Sequence, residues 1–490
     1  MVYTTRPGEE FALPAVAATV RDRNGVVAGA QVEFRIDEIE DGEAPEPEEP
    51  GEDDEPDTDD PGSSSPASAG FGGVDGPKKV IVTSSASGLA TPPPVRAGLG
   101  LGVLRITVTA TRTIAGKPDV ATDEGFLRVQ AVMMVLSAGY GGTGELGNGS
   151  TRNSPIPSGV SIPASVGSIR LIGTSPNRKG WAVDASGTLW GWGSDAGHVQ
   201  ASRGTKTTPQ PIHGLPTDIA QVAGTDKATY VLTEDGHVWA WGSRVYYAMG
   251  DGNNKSEQLT PVLLANISNV TKIAASTRTV YAIDGDGALW VWGHGNYGSL
   301  GLGSAGGDAQ IPTRITGFPP GRKVVDIGGR YNGATAVLDD GTVWGWGHNG
   351  HGAIGDGTVT NRTVPTRVPG IDTAVRVDTG WYNTSVVLAD ATVRAWGRGN
   401  YYNMGLGDTT RRVSPVDLGL SHVHSMAWGC ETGHALLTDG SVLGWGYNGN
   451  YEVGAGVKES RTKVPRVLPG VKATAIASTQ YATFMLQARD

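Results

Sequence analysis

Two glycine patterns have the spacing of a dinucleotide-binding loop. Residues 139–144 and 301–306 both read Gly-x-Gly-x-x-Gly. That motif binds a pyrophosphate only where it follows a strand and opens a helix, because the helix N-terminus supplies the N–H donors. No helical pattern follows either segment, and the sequence therefore predicts no nucleotide and no other cofactor.

Two further motifs have the residue types of metal sites. His348 and His351 are three residues apart, and residues 284–287 read Asp-Gly-Asp-Gly. Two imidazoles without a neighbouring carboxylate or thiolate are a weak ligand set for zinc. The acidic segment resembles part of a calcium loop but lacks the later bidentate Glu. We expect no metal and interpret these histidines as surface-loop residues.

A catalytic nucleophile is not apparent. The single cysteine, Cys430, lies where a strand is expected to begin, and a buried thiol is the favoured interpretation over a reactive one. No nucleophile-elbow motif is present. The sequence predicts a protein that is not an enzyme.

The strongest candidates for function are loops that follow a series of Trp-Gly pairs. These loops are rich in Tyr, His, Asn and Arg, which give large amphipathic contacts at protein-recognition surfaces. The alternative is that some of these tyrosines only pack inside the domain. The predicted partner-binding residues are Tyr246, Tyr247, His294, Tyr297, His348, His351, Arg398, Tyr401, Tyr402, Tyr447 and Tyr451.

The elements that position these loops repeat along the chain. Trp-Gly pairs recur at intervals of 49, 51, 54, 50 and 49 residues, and a degenerate seventh unit has Ala138 at the same place; the tryptophans are Trp192, Trp241, Trp292, Trp346, Trp396 and Trp445. A period of this length indicates a repeat architecture. Seven units of about 51 residues fill residues 131–490.

Each unit has the pattern of four short strands. An apolar strand is followed by a tight turn such as Asp340-Gly341, a strand with two Trp, a Gly-rich loop, and a fourth segment with Pro. Seven four-stranded units predict an all-β, seven-bladed β-propeller. The last unit lacks its Trp-bearing strand, and residues 131–139 have that pattern. We expect residues 131–139 to pair with 481–488 and close the ring.

The first 130 residues differ from the repeats. Short alternating strands are predicted on both sides of an acidic segment, about 37–77, which has 15 Asp or Glu between Asp37 and Asp60 and is expected to be disordered. Without that insert, about 90 residues remain, the size of a β-sandwich. The segment from Val20 to Phe34 resembles bacterial immunoglobulin-like domains of surface proteins.

The repeat itself resembles a known family. Residues 337–350 read Val-Leu-Asp-Asp-Gly-Thr-Val-Trp-Gly-Trp-Gly-His-Asn-Gly, followed by Gly355-Asp-Gly357 and Val364-Pro365. This motif is similar to the regulator of chromosome condensation repeat family, and the resemblance implies a seven-bladed propeller. That family includes an exchange factor for a Ran-type GTPase, modules of ubiquitin ligases and a secreted inhibitor of β-lactamases.

Charge and composition limit the functional classes. The net charge is −10, which argues against a nucleic-acid-binding surface over the whole molecule, and no apolar run is long enough to cross a membrane. No signal peptide is recognised. The favoured hypothesis is a monomeric bacterial protein, extracellular or on the cell surface, whose propeller loops bind another protein. The alternatives are a regulator of a GTPase, of the nucleotide-exchange type, and a carbohydrate-binding lectin.

Overall fold

A computed structural model describes residues 133–194, 204–255 and 257–488, together with the strands that lie between residues 2 and 129. The chain divides into two compact units. Residues 1–132 with 489–490 form one, and residues 133–488 form the other.

The N-terminal unit is described here by its strands alone. Its largest sheet has the order β1-β12-β11-β6-β8, and smaller sheets are formed by β2-β10-β7, β3-β9 and β4-β5. The strands are β1 Val2–Thr5, β2 Glu10–Phe11, β3 Ala18–Thr19, β4 Arg21–Asp22, β5 Gly25–Val26, β6 Gln31–Ile39, β7 Ala69–Phe71, β8 Lys79–Thr83, β9 Leu89–Ala90, β10 Val95–Ala97, β11 Gly102–Ile114 and β12 Lys117–Val129. The acidic segment expected at about 37–77 lies outside the described residues, apart from the end of β6 and all of β7.

The second unit confirms the predicted seven-bladed propeller. Its described residues form seven antiparallel sheets of four strands, which we number blades 1 to 7. Blades 1 to 3 consist of β15 Ile169–Ser175, β16 Lys179–Asp184, β17 Leu189–Gly193 and β18 Lys206–Ile212 (blade 1); β19 Ile219–Gly224, β20 Ala228–Thr233, β21 Val238–Ser243 and β22 Glu257–Leu263 (blade 2); and β23 Val270–Ala275, β24 Thr279–Asp284, β25 Leu289–His294 and β26 Asp308–Arg314 (blade 3). Blades 4 to 6 consist of β27 Val324–Arg330, β28 Gly333–Leu338, β29 Val343–Gly347 and β30 Arg362–Arg367 (blade 4); β31 Ala374–Thr379, β32 Asn383–Leu388, β33 Val393–Gly397 and β34 Arg412–Asp417 (blade 5); and β35 Val423–Trp428, β36 Thr432–Leu437, β37 Val442–Tyr447 and β38 Arg461–Val467 (blade 6). Blade 7 consists of β13 Met133–Gly139, β14 Ser154–Gly159, β39 Ala473–Ser478 and β40 Ala482–Ala488.

Helical structure in the described part of the chain is limited to short 3₁₀ turns. They are Ala164–Val166, Val245–Tyr247, Asn296–Gly298 and Asn400–Tyr402. None of the helices described is long or apolar enough to span a bilayer.

Blade 7 combines the two ends of the repeat array. Its strand order is β14-β13-β40-β39, and β13 pairs with β40 in antiparallel register from Met133 opposite Ala488 to Gly139 opposite Ala482. The first repeat strand therefore completes the sheet that the last two strands begin. This arrangement leaves no free edge between the first and last blades.

Tryptophans from the third strand of six blades are the largest side chains in the core. Trp192, Trp241, Trp292, Trp346, Trp396 and Trp445 have no exposed surface. Five of their indole N–H groups donate to a backbone carbonyl in the preceding blade, at 2.9 to 3.1 Å; the acceptors are Glu145, Ala248, Ser299, Ala353 and Asn403 for Trp192, Trp292, Trp346, Trp396 and Trp445. Each bond joins two neighbouring blades in a buried contact.

A glycine of the preceding blade lies against each of the same five indoles. These glycines are Gly147, Gly250, Gly301, Gly355 and Gly405, all with positive φ, and an added Cβ would lie only 2.6 to 3.0 Å from an indole atom. A real Cβ does not approach so closely. The glycine is therefore needed both for its backbone conformation and for the space that the tryptophan occupies.

The inner strands of the blades line a central channel. Each inner strand is the edge strand of its blade. Side chains of the preceding blade accept hydrogen bonds from some of its backbone N–H groups. Asp326 accepts from Val377 N at 2.8 Å, and Asp378 accepts from Met426 N at 3.0 Å. Asp326 also pairs with Lys272, and Asp378 pairs with Arg376 at 3.0 Å. These charges of the channel wall therefore hold adjacent blades together.

The glycine–indole contact leads to a first prediction. Gly355→Ala places a Cβ 2.6 Å from Trp396 at φ +84°, whereas Gly370→Ala has φ +77° with no atom within 4 Å of the new Cβ. Both variants lose roughly 1–2 kcal/mol for a left-handed alanine. Gly355→Ala loses a further ~1–3 kcal/mol through overpacking. Urea unfolding of both variants measures the difference, and equal losses would show that the contact is not needed.

A buried histidine leads to a second prediction. His434 has no exposed surface, and burial lowers its pKa to about 4. The folded protein favours the neutral ring, so the unfolded chain binds more protons between pH 6.5 and 4, and stability falls as the pH is lowered through that window. The contribution reaches about 3 kcal/mol at most. Unfolding of His434→Gln between pH 7 and pH 4 should have a weaker pH dependence than the wild type; identical dependences would contradict this assignment.

Candidate functional site

Two sets of loops share one face of the propeller. The strands of a blade alternate in direction, so the loop between the first and second strands lies on the same face as the loop between the third and fourth strands. We call this the aromatic face. The Asp-Gly hairpins between the second and third strands lie on the opposite face.

Aromatic side chains of neighbouring blades meet on the aromatic face. The ring centroids of Tyr246 in blade 2 and His294 in blade 3 are 4.3 Å apart. The equivalent separations are 5.1 Å for Tyr297 with His348 and 5.4 Å for Tyr401 with Tyr447. The structure thus brings together, in pairs across blade boundaries, many residues that the sequence predicted for this site.

Arg398 connects blades 5 and 6. Its guanidinium lies 5.3 Å from the centre of the Tyr382 ring and 5.8 Å from that of Tyr401. One of its nitrogens, Nη1, is 3.0 Å from Oε1 of Glu431. Arg398 therefore combines cation–π contacts with an ion pair, which orients the tyrosines around it.

His348 and His351 lie in an aromatic cluster. Their ring centroids are 6.1 Å apart, and His351 is 4.5 Å from the ring of Tyr382. Burial, with nearby arginines, lowers the pKa of both imidazoles. In the described part of the chain, no three His, Cys, Asp or Glu side chains are grouped to hold a metal ion. These histidines present neutral rings on the aromatic face.

Several tyrosines of this face have a left-handed backbone. The φ angles lie between 54° and 67° for Tyr246, Tyr247, Tyr297, Tyr401, Tyr402 and Tyr451. Tyr247, Tyr402 and Tyr451 stand three residues before a glycine whose N–H donates to their carbonyl, and the same turn in other blades has Gly144, Gly298 or Gly352. Glycine has no penalty there, whereas tyrosine costs roughly 1 kcal/mol or more. At this turn position, the blades with tyrosine therefore hold strain that the blades with glycine avoid.

Some residues of the face were not predicted from the sequence. Tyr331 stacks on Trp381 with centroids 5.0 Å apart, and Tyr382 joins the same cluster. All three lie in loops between first and second strands, whereas the prediction considered only loops after Trp-Gly. Tyr140 was also missed, because it lies inside the glycine pattern at 139–144. Tyr140 directly follows Ala138-Gly139, which takes the place of Trp-Gly in this unit, and that position could have identified it.

The other motifs noted in the sequence lie in turns and loops of the propeller. The glycine pattern at 301–306 is in the loop between β25 and β26, after the 3₁₀ turn Asn296–Gly298, and the next described element is a strand rather than a helix. Asp284 accepts hydrogen bonds from Ala288 N at 2.9 Å and Trp290 Nε1 at 2.8 Å, so it stabilises its hairpin. Cys430 lies between β35 and β36 rather than at a strand start, and burial raises its pKa to about 12. Its thiol is therefore not activated.

Comparison with known proteins agrees with this geometry. Residues 134–485 match the family described as the RCC1-like domain. The chain belongs to the RCC1-like domain family. This RCC1-like chain is 30% identical over 291 residues to human "E3 ubiquitin-protein ligase HERC2", covering 56% of this chain and 6% of the ligase. It is 28% identical over 226 residues to "RCC1 domain-containing protein RUG3, mitochondrial" of Arabidopsis thaliana, covering 44% and 49%.

A solved relative shares the propeller. The crystal structure of Kap60 bound to yeast RCC1 (Prp20) matches with a TM-score of 0.66 and 20% identity, covering 74% of this RCC1-like chain and 90% of that chain. At this identity the likeness shows the fold. The RCC1-like chain spans less than two thirds of the ligase and of the mitochondrial protein.

The left-handed tyrosines lead to a third prediction. Tyr247→Gly relieves a strained φ of 54° and should leave the free energy of unfolding within about 1 kcal/mol of the wild type, or raise it. Tyr382→Gly also removes a half-buried ring, but at an unstrained position. It should lose ring contacts of roughly 0.5–1.5 kcal/mol each with no relief. Denaturant midpoints of the two variants test this, and equal losses would refute the claim of strain.

Proposed function

We propose that this protein is a non-enzymatic protein-recognition module whose aromatic face binds a partner protein. The observation that carries the proposal is the set of left-handed tyrosines, of which Tyr247, Tyr402 and Tyr451 stand at a turn position that has glycine in other blades. Strain of this kind persists at sites where a side chain has a role beyond stability. A tyrosine that costs stability and faces a loop surface is most simply explained by a ligand that it contacts.

The exposure of the face supports a protein ligand. Tyr297 is 48% exposed and Val245 is 45% exposed, while most other tyrosines of the face are half-buried and held by their neighbours. Rigid, partly buried tyrosines offer contact area at low entropic cost, and the arginines among them supply directed hydrogen bonds. The aromatic face therefore has the chemistry of a preorganised binding surface.

The family supports the same class of ligand. The solved yeast relative, RCC1 (Prp20), is in complex with another protein, Kap60. A second structure of this yeast protein, Prp20p from Saccharomyces cerevisiae, is described with binding properties to Gsp1p and histones. These partners belong to those proteins, and for this chain they favour a protein over a small molecule. Regulation of a GTPase remains a second proposal within this class.

The N-terminal unit suggests a cellular location for the protein. We propose that residues 1–130 form an immunoglobulin-like spacer and that the protein works outside a bacterial cell or on its surface. The antiparallel pairing of β6, β8, β11 and β12 supports a β-rich spacer. Cell fractionation of a natural host with an antibody against the propeller tests the location.

A fourth prediction concerns the tyrosines as a group. Replacing Tyr247, Tyr297 and Tyr402 together by serine should abolish capture of the partner from an extract of the natural host, because it removes rings from three blades of the face. The matched control replaces Val325 and Val375, which are 50% and 56% exposed and lie at the start of inner strands, away from this face. Circular dichroism should show that both variants fold.

The outcomes of that capture experiment separate the hypotheses. Unchanged capture by the tyrosine variant would refute the role of the aromatic face. If the captured protein is a GTPase, nucleotide-release measurements decide whether the propeller regulates it. If no protein is captured and the wild type binds a glycan array in a tyrosine-dependent manner, the lectin alternative replaces the present proposal.

A further inference from the structure

Three cations on one side of the aromatic face lie over tyrosine rings. The Arg178 guanidinium is 4.9 Å from the ring centre of Tyr481 and 5.3 Å from that of Tyr140. Arg461 lies 5.1 Å from the centre of Tyr401, and the Lys463 ammonium lies 5.5 Å from that of Tyr402. Blades 5, 6, 7 and 1 contribute these groups, so the series is continuous around nearly half of the ring.

These three cations have no carboxylate within ion-pair distance among the residues that the structure describes. Other stacked arginines of the face differ in this respect. Arg278 lies 4.8 Å from the centre of the Tyr246 ring but has Asp226 at 3.5 Å, and Arg398 has Glu431 at 3.0 Å. The Arg178 guanidinium interacts with the Tyr481 hydroxyl, and with the buried carboxylate of Glu145 at a distance beyond that of an ion pair. Its remaining N–H donors stay available to an anion.

Arg178 borders a cavity of about 400 Å³ on this face. Its walls include the rings of Tyr140, Tyr401, Tyr447 and Tyr481, and Glu431 and Glu452 also line it. The cavity is large enough for a side chain of a partner. The phenol rings give it amphipathic walls, and the guanidinium gives it a directed hydrogen-bond donor.

The two carboxylates of the cavity do not neutralise Arg178. Glu431 is paired with Arg398, and Glu452 is 1% exposed and accepts two hydrogen bonds from Asn450, each at 2.8 Å. Burial raises the pKa of both carboxyl groups. Arg178 is therefore a cation of the cavity wall with which neither of these carboxylates forms an ion pair.

The backbone of Arg178 also indicates a role beyond folding. Its φ is +61°, in the left-handed region that few arginines adopt. It stands in the tight turn between β15 and β16, and this conformation accompanies a guanidinium stacked on two rings of blade 7. As with the left-handed tyrosines, the strain lies at a side chain that is available to a ligand.

We propose that this side of the face binds an acidic segment of a partner protein, with an Asp or Glu carboxylate seated against Arg178 and further carboxylates near Arg461 and Lys463. A carboxylate accepts hydrogen bonds only, and it matches the planar fork of an arginine. The inference rests on the proposed protein-binding function and adds that the bound segment of the partner is acidic. The proposed surface shares Tyr402 with the tyrosine experiment, but Arg178 and Arg461 are not altered in that experiment.

The test uses the full chain and a defined probe. Fluorescence anisotropy of labelled acetyl-hexaglutamate-amide should show saturable binding that weakens as sodium chloride is added, and acetyl-hexaglutamine-amide should not bind. Arg178→Gln should weaken hexaglutamate binding at least about tenfold, as expected for a lost charge-assisted hydrogen bond. Arg461→Gln with Lys463→Gln should also weaken it several-fold, and these exposed side chains can be replaced without effect on folding.

The control replaces a stacked arginine that already has an anion. Arg278→Gln should leave hexaglutamate binding unchanged. Absence of hexaglutamate binding, equal binding of hexaglutamine, or an equal loss in Arg278→Gln would overturn the proposal. If inorganic phosphate displaces hexaglutamate and sodium chloride at the same ionic strength does not, the surface is a phosphate site and the proposal of a carboxylate ligand is overturned. Each of these failures leaves tyrosine-dependent capture intact, so it is distinguishable from failure of the proposed function.

Discussion

The propeller depends on one contact that is described in five of its seven blades, an indole packed on a glycine of the blade before it. In this contact the ring fills the space that a Cβ would need, and its N–H satisfies a loop carbonyl that would otherwise be buried without a donor. Apolar burial alone would tolerate several relative positions of two sheets. The hydrogen bond and the steric fit together select one, and repetition around the ring then determines the closed shape. The loop that follows each Trp-Gly pair is part of the same contact, so the scaffold also positions the candidate site.

A scaffold of this kind can hold strained residues at its loops. The turn that contains Tyr247, Tyr402 and Tyr451 ends in the glycine that meets the indole, or in Gly454, which meets Ala138. Because both ends of the turn are tied to the blades, its backbone follows the same path whether the residue is glycine or tyrosine. The cost of the left-handed tyrosine is thus carried by the surrounding contacts. Variation of this single position from blade to blade changes the surface without changing the fold.

The sequence was sufficient for the propeller because the decisive contact uses tryptophan and glycine at a nearly constant spacing. Period and strand alternation together predicted seven blades. The site was predicted in part, since Tyr246, Tyr297 and Arg398 follow the same signal. Trp381 and Tyr331 were missed because they lie in loops with no repeated motif, and only the three-dimensional sheet order shows that these loops share the face. The pairing of charges was also beyond prediction, because the sequence around Arg278 and Arg178 does not show that only Arg278 has a carboxylate within ion-pair distance.

The electrostatics of the face favours binding over catalysis. General acid–base chemistry needs a group whose pKa lies near the working pH, or a nucleophile with a lowered pKa. Here burial raises the pKa of Cys430 to about 12, so its thiol is un-ionised, and burial lowers the pKa values of His348 and His351, so the neutral imidazole is favoured. A neutral imidazole packed between rings serves as an aromatic surface, and an un-ionised thiol is inert. The burial that keeps these groups un-ionised also restricts the motion of the rings around them. A rigid aromatic surface with unpaired cations at one side is suited to recognise an acidic partner.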